Sequence, residues 1–133
     1  MSYDLMVYDP RIAFVGKADF IDWYDKQTKW SEDHGYNNSD IPTPELGKWF
    51  RDMIVKFPPM NGPLADKNRD DSYVTDYCLG KSLIYVAFAW SVSQEAHAYM
   101  QDLAAKHRLG FFDITAAEVW GISGNDYRLL FKT

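Results

Sequence analysis

The chain has 133 residues with 47% hydrophobic and 17% aromatic side chains, enough to fill a single core, so residues 1–133 are read as one domain and a disordered chain is excluded. Nineteen acidic against fourteen basic side chains leave a formal charge of -5, which repels phosphate backbones and argues against a nucleic-acid partner. One cysteine cannot make an internal disulfide, the acidic opening lacks a secretory pattern, and no apolar run has the length of a membrane helix; a cytoplasmic protein is the expectation.

Tyr3 to Tyr8 alternates, Leu5 and Val7 on one face and Asp4, Met6 and Tyr8 on the other, as a strand does. After a loop, Lys17 to Trp30 reads as a helix with Phe20, Ile21, Tyr24 and Gln27 on one side, and with Asp22 and Asp25 each four residues before a lysine on the other. Ser31 to Ile41 is rich in Gly, Asn, Asp and Ser and marks a loop.

Thr43-Pro44-Glu45 announces a second helix by an N-cap, a first-turn proline and an acid at the positive end of the dipole. Leu46, Trp49, Phe50, Met53, Ile54 and Phe57 form its apolar stripe, and Pro58-Pro59 stops it. Met60 to Tyr73 is a long loop made acidic by Asp66, Asp70 and Asp71.

Val74 to Leu79 and Leu83 to Trp90 read as a hairpin whose Gly80 supplies a positive φ. The second strand is apolar on both faces and belongs in the middle of a sheet. Ser91 or Ser93 caps a helix that buries Ala96, Tyr99, Met100, Leu103 and Ala104, carries Lys106, His107 and Arg108 in its last turn, and ends at Gly110. Phe111 to Ile114 then reads as an edge strand, followed by a short terminal hairpin around Gly124-Asn125.

The order predicts an α+β, ferredoxin-like sandwich: βααββαβ plus short C-terminal strands, an antiparallel-rich mixed sheet, helices on one face, and the first strand beside Leu83 to Trp90 at the centre.

Catalytic and metal signatures are not found. His97 and His107 stand about 80° apart around one helix and nearly three turns along it, which prevents shared chelation. His34 beside Glu32 and Asp33 reads as a solvated loop histidine rather than an acid/base group. Asp66, Asp70, Asp71 and Asp76 read as surface carboxylates rather than a cation site, because DKNRDD lacks the alternating ligands and central glycine of a calcium loop. Cys78 reads as a structural thiol. No cofactor is expected.

Tryptophans are most often core, and Trp23 and Trp30 fit that reading as flank residues of the first helix. The functional alternative is an aromatic ridge rimmed by carboxylates and continued by Glu32, Asp33 and Tyr36, with Asp70 and Asp71 adding charge. Such a surface suits a basic protein partner, aromatics anchoring and carboxylates steering.

The stretches SYDLMVY, FPPMNGP, IYVAFAWS and LAAKHRLGFFDI resemble a group of small uncharacterised bacterial proteins that open with a similar Ser-Tyr-Asp-Leu-Met-Val run. The resemblance carries no catalytic residue with it. Small acidic proteins of this kind are similar in character to immunity proteins that bind and occlude bacterial toxins, which makes a non-enzymatic toxin inhibitor the leading expectation. The alternative is a small-molecule-binding domain or small enzyme with a pocket between the sheet and the FPPMNGP loop. A homodimeric structural protein, in place of a monomer, is the third.

Overall fold

A computed structural model describes residues 2–12, 14, 16–65, 68–69 and 71–133. Its centre is strand β1, Tyr3–Tyr8, whose alternation buries Leu5 and Val7 toward one side and Met6 and Tyr8 toward the other. Apolar residues on both faces require cover on both faces, and the helices divide accordingly.

Helix α1, Lys17–Gln27, places Phe20 under the sheet against Tyr8 and Phe112. It is shorter than its apolar spacing predicts. The Thr28 hydroxyl donates back to the Tyr24 carbonyl at 2.9 Å, and Trp30 leaves in the left-handed region at φ 52°. Asp22 pairs with Lys26 at 3.0 Å, whereas Lys29 lies beyond the helix end.

Helix α2, Pro44–Lys56, begins with proline at its first turn and buries Leu46, Trp49, Phe50 and Met53. Thr43 precedes it, but its hydroxyl makes no capping bond and is buried without a partner. Strands β2, Asp76–Leu79, and β3, Leu83–Phe88, form the expected hairpin. Gly80 is not in the left-handed region; the turn closes by its amide donating to the Leu83 carbonyl at 2.9 Å.

A single 3-10 turn, Trp90–Val92, leads into helix α3, Ser93–Lys106, and neither Ser91 nor Ser93 caps it. The left-handed residue after α3 is Arg108, at φ 57°. Gly110 instead opens strand β4, Gly110–Asp113, where a Cβ would overlap the Tyr8 ring. Strands β5, Glu118–Ser123, and β6, Asp126–Lys132, complete the sheet through a turn in which Gly124 has φ 66°.

The strand order is β2-β3-β1-β4-β5-β6, and every pairing between these strands is antiparallel. Several expectations are corrected by this arrangement. The sheet is not mixed, because β1, running opposite to both neighbours, separates β3 from β4. β4 is internal, with β6 as the edge, and at seven residues β6 is not a short strand. The helices do not share one face: α2 and α3 cover the side of Leu5, Val86 and Phe111, while α1 covers the side of Met6, Tyr8 and Phe112.

The helical layer on the first side is cross-tied by polar bonds. The Trp49 indole donates to the Met100 carbonyl at 3.4 Å, and Asp52 of α2 receives His107 at 2.7 Å and Lys106 at 3.2 Å. His107 thus joins two helices through its ring while standing at the C-cap of α3, where its amide donates to the Leu103 carbonyl at 3.0 Å. On the second side α1 covers less of the sheet and leaves the α1-facing surface of β2 and β3 open.

Candidate functional site

That uncovered surface is a cleft of about 320 Å³ lined by Tyr24 and Thr28 from the end of α1, Trp30 from the segment after it, and Asp76, Cys78, Tyr85 and Ala87 from the sheet. Register explains which strand residues meet there. Asp76 and Asp4 both pair with Ala87, one from each side, and Cys78 pairs with Tyr85 in the neighbouring row. Directly paired residues of antiparallel strands project from the same face, so two carboxylates flank a methyl side chain.

The walls are aromatic. Trp30 meets Tyr85 at 5.8 Å with their planes 82° apart, and meets Tyr36 at 5.2 Å and 71°. The Tyr85 hydroxyl donates to Asp4 Oδ2 at 2.5 Å and also interacts with Tyr24. Burial, then the Asp4 carboxylate, drives the Tyr85 phenol far above its usual range and keeps it a neutral donor. Burial, reinforced by Asp76, pushes the Cys78 thiol up, so this cysteine is a poor nucleophile at neutral pH.

Beside the cleft, the loop after α1 is fastened to the β2-β3 hairpin. Glu32 Oε1 accepts the Lys81 amide at 3.1 Å and the His34 ring, and the Tyr36 hydroxyl accepts the Glu32 amide at 2.8 Å. The Tyr36 carbonyl accepts the Leu79 amide at 2.8 Å, shielding part of the β2 edge. His34 is raised above its ordinary value by the Gly35 carbonyl first and by Glu32 second.

Of the residues singled out in the sequence, Trp30, Glu32 and Tyr36 come together here, and Asp33 is exposed in the same loop. Trp23 lies apart, packed at 5.4 to 5.8 Å against Phe14, Tyr8 and Phe20. No ring contact joins it to Trp30 among the described residues, so the two tryptophans do not form one ridge. Asp71 is exposed, and its carboxylate accepts Arg69 Nε at 2.7 Å and the Tyr73 amide at 2.9 Å, which hold it below the ordinary value. Asp70 and Asp66 lie outside the described residues.

Asp4, Tyr24, Thr28, Tyr85 and Ala87 were not singled out from the sequence as site residues, although the alternation of β1 already assigned Asp4 to a face. The missing information was register. The space between the sheet and the FPPMNGP loop is small: about 10 Å³ lined by Phe50, Pro59, Asn61, Leu64 and Tyr77, room for no more than a water. An open depression of about 410 Å³ over the β2 edge includes Asn61 and Gly62 of that loop.

Among the described residues no group of three or more His, Cys, Asp or Glu is arranged to hold a metal, and no helix is long and apolar enough to cross a membrane. No protein-family model, curated protein or solved structure matches the chain.

Proposed function

We propose that the protein is a binding module for a basic protein partner, an immunity-type inhibitor that occludes a bacterial toxin. The observation that carries this reading is the α1-face cleft, where aromatic walls and a carboxylate rim lie beside the fastened loop bearing Trp30, Glu32, Asp33 and Tyr36. Aromatic side chains with few rotatable bonds supply contact area at low entropic cost, and carboxylates raise the encounter rate of a basic partner. Fastening matters because a preorganised loop loses less entropy on docking. The net charge of -5 adds long-range attraction for a cationic surface.

The fold reading that accompanies this function is a ferredoxin-like core. The order β2-β3-β1-β4 with α2 and α3 on one face supports it, α1 and the β5-β6 hairpin being additions. A cytoplasmic location belongs to the same reading.

A second reading has its own observation. The volume of about 320 Å³ falls within the range of small-molecule sites, so a small cationic ligand would suit the same cleft. In the first reading, a protein co-purified from the native host and then isolated loses affinity about tenfold or more when Trp30 is replaced by alanine or when Glu32 and Asp33 are reversed in charge. Unchanged affinity for both variants sinks it; saturable binding of a small amine that no host protein displaces favours the second.

A further inference from the structure

The chemistry lining the cleft specifies what enters it. Among the described residues that line it, the charged one is Asp76, an acid. Asp76 stands at the rim on β2, Asp4 stands behind Tyr85 on β1, and the carbonyl end of α1 reaches it through Tyr24 and Thr28. Among the described residues, no lysine or arginine lines it. Trp30 and Tyr85 stand nearly perpendicular to each other, and aromatic faces carry the negative side of their quadrupoles, which attracts a cation. The floor between the carboxylates is Ala87, whose small side chain leaves the depth.

We propose that the cleft receives a lysine side chain of the partner, its ammonium lodged between Asp76 and the Asp4–Tyr85 pair and its aliphatic stem against Trp30 and Tyr24. This rests on the partner-binding reading above and names the group recognised.

Lysine is favoured over arginine by the state of Asp4. A guanidinium is best held by a carboxylate that offers both oxygens as a fork. Asp4 offers no such fork, because Oδ1 accepts the Ser2 hydroxyl and Oδ2 accepts Tyr85, both at 2.5 Å. An ammonium is a compact donor that takes separate acceptors in several directions. Asp76 lines the cleft beside the Tyr24 and Tyr85 side chains, whose hydroxyls interact with each other. Cys78 sits on the floor as a protonated thiol and adds no charge of its own.

The test is an NMR titration of the intact protein with Nα-acetyl-lysine N-methylamide. Nα-acetyl-norleucine N-methylamide serves as the uncharged counterpart, Nα-acetyl-arginine N-methylamide and 1,5-diaminopentane as competitors. The inference expects saturable shifts of the Trp30 indole and of the Cys78, Tyr85 and Ala87 amides with the lysine amide. Affinity should be about tenfold weaker for norleucine, weaker for arginine, and about tenfold weaker for Asp76→Asn, an exposed position whose thermal unfolding reports an intact fold. Equal shifts for lysine and norleucine amides, or an Asp76→Asn variant equal to wild type, would overturn it. Binding of the free diamine at least about tenfold tighter than the lysine amide would assign the cleft to a small amine and overturn the protein-lysine assignment. The two proposals fail separately. A partner whose affinity falls with Trp30→Ala but not with Asp76→Asn leaves the partner reading standing and removes the lysine. A lysine amide that behaves as expected, with no host protein retained by wild type, removes the partner reading and leaves the ammonium site.

Discussion

Asp4 and Asp76 are cross-strand neighbours of one residue, Ala87, and project from the same face of the sheet. With strands about 4.8 Å apart their Cα atoms stand about 10 Å from each other, close enough for both fields to reach whatever lies over Ala87. Cys78 reports that field. Because its thiol lines the cleft, a cationic methanethiosulfonate should label it several-fold faster than an anionic one of the same size at low salt, the ratio shrinking as ionic strength rises. Equal rates for the two reagents would contradict an acidic cleft.

The Tyr85–Asp4 bond crosses from β3 to β1 and closes the wall between the cleft and the sheet interior. Tyr85→Phe removes the donor and leaves Asp4 with the Ser2 hydroxyl among the described residues, at an expected cost of about 1–2 kcal/mol in chemical denaturation. In the wild type, absorbance titration should find this phenol among those still protonated well above pH 10.0, because burial, then Asp4, raises its pKa.

Gly110 lies against the Tyr8 ring, and Tyr8 in turn meets Phe14, Phe20 and Trp23. A methyl group there collides with an aromatic ring that is itself hemmed in. Gly110→Ala is therefore expected to lower stability by about 1–3 kcal/mol, read from the denaturant midpoint, while Gly124→Ala strains only its own turn. A neutral Gly110→Ala would show that the ring moves freely.

The ion pair between His97 and Asp113 sets a pH dependence. Asp113 is buried, which alone would raise its pKa, but His97 and the Ala116 amide outweigh burial and lower it; Asp113 in turn raises His97 above its usual 6.5. A depressed carboxylate contributes stability above its ordinary value of 3.8 that is lost as pH falls through its folded value. A raised histidine contributes stability that is complete below 6.5 and lost as pH rises through its folded value. The pair is thus strongest at mildly acidic pH, and thermal midpoints should decline as pH climbs past neutrality. His97→Gln should flatten that decline. An identical profile for the variant would remove the pair from the account.

How far the sequence could reach is visible in particular residues. The stripe from Leu46 to Phe57 and the alternation from Tyr3 to Tyr8 were legible because burial imposes a period on each element. The capping serines and the Gly80 turn misled, since Ser, Thr and Gly occur at caps and tight turns often enough to be predicted there, while the actual bonds depend on the incoming chain direction. The opposite placement of α1 was implicit in β1 and β3: strands apolar on both faces need helices on both. The cleft was not legible, because Asp4, Asp76, Tyr85 and Ala87 meet only through register, a property of paired strands rather than of any segment. Trp30 and Tyr36, placed on one surface by the helix flank and the loop after it, do meet, whereas Trp23 belongs to the packing around Tyr8.

The central claim, that the α1-face cleft is where a basic partner docks, is tested most directly by hydrogen exchange of the protein alone and in complex with its isolated partner. The account predicts added protection in Tyr24 to Tyr36 and in Asp76 to Leu79, with α2 and α3 unchanged. Protection confined to the outer faces of α2 and α3, with the cleft exchanging as in the free protein, would contradict it.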